Sequence, residues 1–268
     1  ACLDSLAHQT HPSFEVVVVD NGSSDGSVEM VRGFMEYYPR PLVVIQNQEN
    51  RGFCAANNQG FAGARNQFIA LLNNDAEAEP GWLEAMETAM RTSPEIGMVA
   101  CKIRVWEDPQ RIDKVGHLIY PDGQNRGRGS GQPDRGQFDR EEEVLWPDGC
   151  AAMYRKPMLD EIGGFDELLR PFYLEDTDLG YLAWKRGWKT MYQPASIVYH
   201  EHRGTIGKRF SEAYIQSVLK KNFLLFTWKN IHDWRRLAEH FFFTWAGAVL
   251  SWWAGNSPER SSFSGIAR

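Results

Sequence analysis

Asn73, Asn74 and Asp75 follow directly on an apolar run, Phe68 to Leu72, that reads as a short buried strand. A carboxylate at such a strand end can hold a cation; it can equally cap the helix that Pro80 opens. Three other places put polar groups where packing has no use for them: Asp20-Asn21, Asn50-Arg51-Gly52, and Glu175-Asp176 with His200 further on. Asp20-Asn21-Gly22-Ser23 is a good turn on composition alone. Gly52 would let a phosphate or a base approach the backbone, or simply serve a loop. In Glu175-Asp176-Thr177-Asp178, helix capping explains one acid. Three acids repel one another, which a cation or a substrate hydroxyl would relieve. His200 is either a ligand or an ordinary histidine at a strand end.

The elements that must position these residues alternate. FEVVVVD (14–20), PLVVIQN (41–47), FIALLN (68–73) and IGMVACKIRV (96–105) read as strands. Near-continuous hydrophobicity in the first suggests a strand covered on both faces. Helices are expected over the tail of 1–13, over 27–37, 54–64 and from Pro80 through GWLEAMETAM, then at KPMLDEIGGF and 179–188. This alternation predicts an α/β fold with a largely parallel sheet, whose strand ends gather along one edge. Residues 121–143 are rich in Gly, Arg, Asp and Gln and read as a long surface flap. No internal repeat is visible.

The 268 residues suffice for one large or two small domains, and 43% hydrophobic content supports a sizeable core. A net charge of −6 argues against a general nucleic-acid binder. Cys2, Cys54, Cys101 and Cys150 form no CxxC pair, so they read as reduced, buried thiols. No run reaches the roughly 20 apolar residues of a membrane span.

VVVVDNGSSDGS, NRGFCAANNQG and LLNNDAEAEPGWL occur in that order, followed by GCAAMYRKPMLDEIGGFDE and FYLEDTDLGYLAWKRGWKTMYQPASIVYHEH. Together they resemble the family 2 glycosyltransferases, and most nearly the bacterial rhamnosyltransferase-like enzymes that build surface polysaccharides. The resemblance covers residues 1–205. It implies a GT-A fold, an α/β/α sandwich with a mostly parallel central sheet, and an inverting transfer of sugar by one direct displacement. It implies a nucleotide-sugar donor, a UDP- or dTDP-sugar, with Mg²⁺ or Mn²⁺, and a glycan or lipid-linked acceptor.

Carried across, Asp20 binds the nucleoside end of the donor, and Asn21 and Gly22 shape its pocket. Asn50, Gly52 and Asn57 border the nucleotide. Asn73-Asn74-Asp75 matches the family's DxD-type motif with its first acid replaced, leaving Asp75 as the main carboxylate on the metal. His200 completes the coordination, with His202 as the second candidate. Asp176 matches the general base, and Glu175 helps place donor or acceptor. The resemblance further implies a cytoplasmic enzyme, working at the inner face of the cell membrane if its acceptor is lipid-linked.

Family members normally begin with an apolar strand in the middle of the sheet. No such strand precedes the first helix here, so the chain reads as an N-terminally truncated catalytic domain (1–205) with a helical, aromatic extension (206–268). That extension either packs on the domain or lies in a membrane interface, where its Trp and Phe residues and Lys220, Lys221, Lys229, Arg235 and Arg236 would meet lipid. Two other function classes stay open at this point. A nucleotidyltransferase would usually show a Gly-rich triphosphate loop. A non-catalytic sugar-nucleotide-binding module would have lost its base.

Overall fold

The computed structural model describes residues 1–119, 125–201 and 206–253. Helix α1 (Cys2–Ala7) leads into β1 (Val16–Asn21), α2 (Ser27–Met35), β2 (Leu42–Asn47), α3 (Phe53–Gly63) and β3 (Phe68–Leu72). A short β4 (Ala76–Ala78) precedes α4 (Trp82–Arg91) and the long β5 (Ile96–Val105). Then come β6 (Ile112–Lys114), β7 (His117–Ile119), β8 (Asn125–Gly127), β9 (Glu142–Val144) and β10 (Ala151–Arg155). Helix α5 (Lys156–Ile162), a 3-10 turn (Glu167–Leu169), α6 (Glu175–Lys185) and β11 (Lys189–His200) complete the sheet-bearing part of the chain. Three helices follow: α7 (Ile206–Arg209), α8 (Glu212–Asn230) and α9 (Trp234–Trp253).

The main sheet runs β3-β10-β5-β11-β4, with β6 added to β5 and β9 to β11. It is mixed rather than largely parallel: β11 is parallel to β5, while β10 inserts antiparallel between β3 and β5. The sequence could not show this direction. All five residues of β10 are buried, and an apolar run of that kind looks the same in either sense. Strands β1 and β2 pair in parallel as a separate two-stranded sheet. Each of β1 and β3 therefore has one edge without a strand partner among the described residues, where the resemblance expects a further strand.

Helix α4 shows why the core closes. Trp82, Leu83, Met86, Ala89 and Met90 recur at helical spacing and are all buried, packing on Val99, Cys101, Met153 and Val198 of the sheet. On the other face, Tyr154, Met158, Phe165, Leu179 and Ala183 form a second cluster that includes Cys54 and Phe61 of α3. All four cysteines are free thiols.

The flap is more ordered than its composition suggests. Residues 121–124 lie outside the described residues; from Asn125 the chain forms β8 against β7 and β9 against β11. Between them Asp134 and Asp139 both reach the buried Lys102 ammonium, and Arg128 lies over the Phe138 ring at 4.6 Å. Ion pairs and one aromatic anchor thus replace the missing apolar residues. Among the described residues, no helix is long and apolar enough to cross a membrane.

Candidate active site

Strand β11 brings His200 alongside the end of β3. Its last residues pair with β4, and the Glu201 amide donates to the Asp75 carbonyl at 3.0 Å. The His200 Nε2 faces Asp75 Oδ1 at 3.7 Å, an ion-pair distance rather than a hydrogen bond. Asp75 Oδ1 is buried and has no hydrogen-bond partner. Asp75 caps no helix, since Gly81 holds the N-cap position of α4. The other His200 nitrogen, Nδ1, is 3.0 Å from Asp113 Oδ2. Burial works against the imidazolium, but Asp113 and Asp75 outweigh it and raise the His200 pKa to about 9. An unpartnered carboxylate oxygen facing an imidazole nitrogen can hold a divalent cation, with Asp113 orienting the ring from behind.

From His200 a chain of alternating charges crosses the site. Asp113 is followed by Lys114, whose ammonium is 3.9 Å from Asp113 and 2.8 Å from Asp148. Asp148 Oδ2 is 3.2 Å from His117 Nε2. His117 stacks on Trp146, with ring planes 17° apart, and its Nδ1 is 3.2 Å from the Asn125 amide oxygen. The nearest ligand atoms of His117, Asp148 and Asp176 lie within 4.8 Å of one another. Asp148 is buried, which disfavours its charge, yet Lys114 and His117 hold its carboxyl well below the usual range.

Asp176 and Glu175 form the first turn of α6, not the segment before a helix, and the helix starts four residues earlier than the sequence suggests. Asp176 Oδ2 accepts from the Gly149 amide at 3.1 Å, and Oδ1 accepts from the Thr177 amide at 2.6 Å. Gly180 makes this approach of the Trp146-to-Gly149 loop possible. A β-carbon there would lie 2.3 Å from Cβ of Trp146. Burial first, and then Asp176, push the Glu175 carboxyl up to about 8. Burial and Asp148 raise Asp176 too, with His117 opposing. Glu175 Oε2 is buried without a hydrogen-bond partner. The segment entering α6 is strained: Tyr173 (φ 75°) and Leu174 (φ 72°) both sit in the left-handed region. Such backbone costs about 1–3 kcal/mol per residue unless its surroundings enforce it.

Asp178, the third acid of this segment, needs neither cation nor substrate. Lys229 and Asn230 of α8 reach its carboxylate at 2.6 and 2.7 Å. The acid cluster that looked self-repelling is relieved in part by the helical extension.

The other sequence-predicted residues gather on the two-stranded sheet. Asn21 Nδ2 donates to Asn50 Oδ1 (3.1 Å) and to the Gly52 carbonyl (3.2 Å), while its Oδ1 accepts from Asn47 and from the Arg51 amide. Buried Asp20 accepts from the Ser23 amide at 3.2 Å, closing the turn. At Gly22 (φ 79°) a β-carbon would strike the Glu49 backbone at 2.7 Å. The 50–52 loop abuts the approach to α6, because the Phe53 amide donates to the Pro171 carbonyl. Asn57 bonds back to the Phe53 carbonyl within α3. Asn74 is exposed; Asn73 donates its amide to Cys150 and supports the turn into β4. His202 lies outside the described residues.

Asp113, Lys114, His117 and Asp148 were not singled out from the sequence. The parallel reading hid Asp148, because an antiparallel β10 begins at the edge where β3 ends, with Ala151 opposite Leu72. An Asp-Gly pair just before a fully buried strand was the available signal.

A mixed sheet flanked by helices, with acids and histidine at the strand ends, is the GT-A architecture. GalNAc-T7, solved with UDP, GalNAc and Mn²⁺, superposes with a TM-score of 0.68 at 17% identity, covering 84% of this chain and 44% of that one. The Pyrobaculum calidifontis mannosyltransferase PcManGT, solved with GDP-Man and Mn²⁺, gives 0.61 at 19% identity over 99% of this chain and 74% of that one. These likenesses concern the fold. The sequence model of glycosyl transferase family 2 matches residues 1–163, and the chain belongs to that family.

It is a glycosyltransferase of rhamnosyltransferase-like type. It is 26% identical over 237 residues to the Mycobacterium tuberculosis N-acetylglucosaminyl-diphospho-decaprenol L-rhamnosyltransferase, covering 77% of this chain and 72% of that protein. An uncharacterized Sinorhizobium fredii protein is 25% identical over 221 residues, but this chain spans only 23% of its length.

Proposed function

We propose that this glycosyltransferase moves a sugar, with inversion, from a UDP- or dTDP-sugar to a hydroxyl of a glycan or lipid-linked acceptor in surface polysaccharide synthesis. The observation that carries the reading is the buried pair Glu175–Asp176, joined by alternating charges to the Asp75–His200 pair. Asp176 takes the proton of the acceptor hydroxyl. That oxygen attacks the anomeric carbon, and the bond to the diphosphate breaks on the opposite face in the same step. Glu175, whose carboxyl is raised to about 8, keeps its proton at neutral pH and can donate it in a hydrogen bond to donor or acceptor.

Asp75 and His200 would hold Mg²⁺ or Mn²⁺, which neutralises charge on the departing diphosphate. The imidazole ligand leans the choice toward Mn²⁺. As a ligand, His200 would be in its neutral form. Asp20, Asn21, Gly22, Asn50, Gly52, Asn57, Asn73 and Asn74 are assigned to the donor side. The mycobacterial relative, by its name, acts on a decaprenol-linked diphospho-sugar. In this chain Phe242, Phe243, Trp245 and Trp253 of α9 are 68%, 70%, 63% and 88% exposed, beside exposed Arg235 and Arg236. We assign them to peripheral contact with an anionic membrane face on the cytoplasmic side.

The test is a donor panel of UDP-, dTDP- and GDP-sugars with Mn²⁺ or Mg²⁺, following release of nucleoside diphosphate. Metal-dependent release with one nucleotide class, abolished by EDTA and by Asp75→Ala, is expected. Folded protein that neither binds nor turns over any donor points instead to a non-catalytic module. Release of pyrophosphate would point to nucleotidyl transfer.

A further inference from the structure

We propose that α8 is part of the catalytic apparatus, with Asn222 as a positioning residue: it holds the strained backbone that presents Glu175 and Asp176. This rests on Asp176 as the base.

Asn222 is fully buried, and its single amide group faces the carbonyls of Leu169 (2.6 Å), Phe172 (3.0 Å) and Tyr173 (2.8 Å). Those carbonyls bracket the turn that ends in left-handed Tyr173 and Leu174, immediately before the acid pair. Lys221 donates to the Arg170 carbonyl at the start of the same turn. Two helical turns beyond Asn222, Lys229 bridges Asp166 and Asp178 at 2.6 Å each, and Asn230 adds a bond to Asp178. The polar contacts of α8 therefore grip both sides of the Glu175–Asp176 pair.

Apolar packing alone would have attached α8, and it does contribute: Ile215 and Val218 bury against Phe172. Hydrophobic contact does not fix a dihedral angle. A buried amide spanning several carbonyls does, because each lost bond leaves a desolvated oxygen. Without it, Tyr173 and Leu174 would relax toward negative φ. The first turn of α6 would swing, and Asp176 would leave the Gly149 amide. Among the described residues, Asp20 and Asn21 of β1 bond to Ser23, Asn47 and the 50–52 loop rather than to α8, so donor binding should survive.

The experiment uses the full chain. Asn222→Leu is compared with wild type for nucleoside diphosphate release, from whichever donor of the panel wild type turns over. UDP–Mn²⁺ affinity and hydrogen exchange at residues 173–178 are measured alongside. The expected result is a kcat lower by about tenfold or more, unchanged UDP–Mn²⁺ affinity and faster exchange at 174–178. Tyr173→Asn, a residue at ease in the left-handed region, should recover part of kcat in the Asn222→Leu background. Lys229→Gln, at a partly exposed site, gives the same pattern more weakly and stands in if Asn222→Leu does not fold. Unchanged kcat, or kcat and UDP affinity falling together, overturns the proposal. Asp176→Asn runs in parallel: a wild-type rate there sinks the base assignment itself, whatever Asn222 does.

Discussion

Two of the three sheets among the described residues border the proposed site, and they are built differently. In β5 and β10 thirteen of fifteen residues are buried, and the groups gathered beside them on β11, β6, β7 and the loop before β10 are joined by alternating full charges. Strands β1 and β2 are mostly half-buried, with Val43 41% exposed, and the groups at their ends are joined by neutral amide hydrogen bonds. The lesson is a division of labour. On the proposed reading, chemistry that needs fixed distances stands on the densely paired sheet, and recognition of a flexible nucleotide stands on the looser one.

Substitutions should respect that division. Asp176→Asn, on the dense side, should lower kcat by about 10²–10⁴-fold with little change in donor KM; equal losses in both would blur the two halves. Asp113→Leu should weaken Mn²⁺ binding by about 10–100-fold, read by direct titration, because His200 loses the carboxylate that orients it. Asp20→Ala, on the loose side, should raise donor KM about tenfold and leave kcat nearly intact. A kcat effect there would mean that the nucleotide pocket takes part in the transition state.

The smallest effect concerns acid. Burial pushes the Asp134 carboxyl up, but Arg104 and Lys102 outweigh it and hold the group below its usual range. A carboxyl depressed in the folded state stabilises above its unfolded value, near pH 4, and that contribution is lost as pH falls through the folded value. Asp134→Asn should therefore cost about 1 kcal/mol at pH 6 and progressively less toward pH 3, by thermal melts.

Much of the dense half was legible from sequence. The run 96–105 is a strand over those same residues, and the helix behind Pro80 shows its buried face at the expected spacing. Strand direction was not legible, since period and hydrophobicity carry no arrow, and Asp148 as a charged site residue was missed with it. His117 and Asp113 escaped for another reason. They lie in short strands with neither a long apolar run nor a turn signature, and only tertiary pairing brings them to the edge. Asp178 looked like part of a ligand site because its partners, Lys229 and Asn230, arrive from a helix far along the chain.

The pairing of β11 with β4 and β5 has a consequence for how the enzyme comes into being. Asp75 and His200 are 125 residues apart in the chain, and they meet only when β11 docks parallel to β5. Closing a loop of that length is entropically unfavourable until the strand pairs, so this contact belongs late in folding. With Asp75 and His200 as the proposed cation ligands, a chain emerging from the ribosome has no cation site until His200 has cleared the exit tunnel. Mn²⁺ should therefore leave early intermediates untouched and slow unfolding of the finished protein, adding stability in proportion to how far its concentration exceeds its Kd.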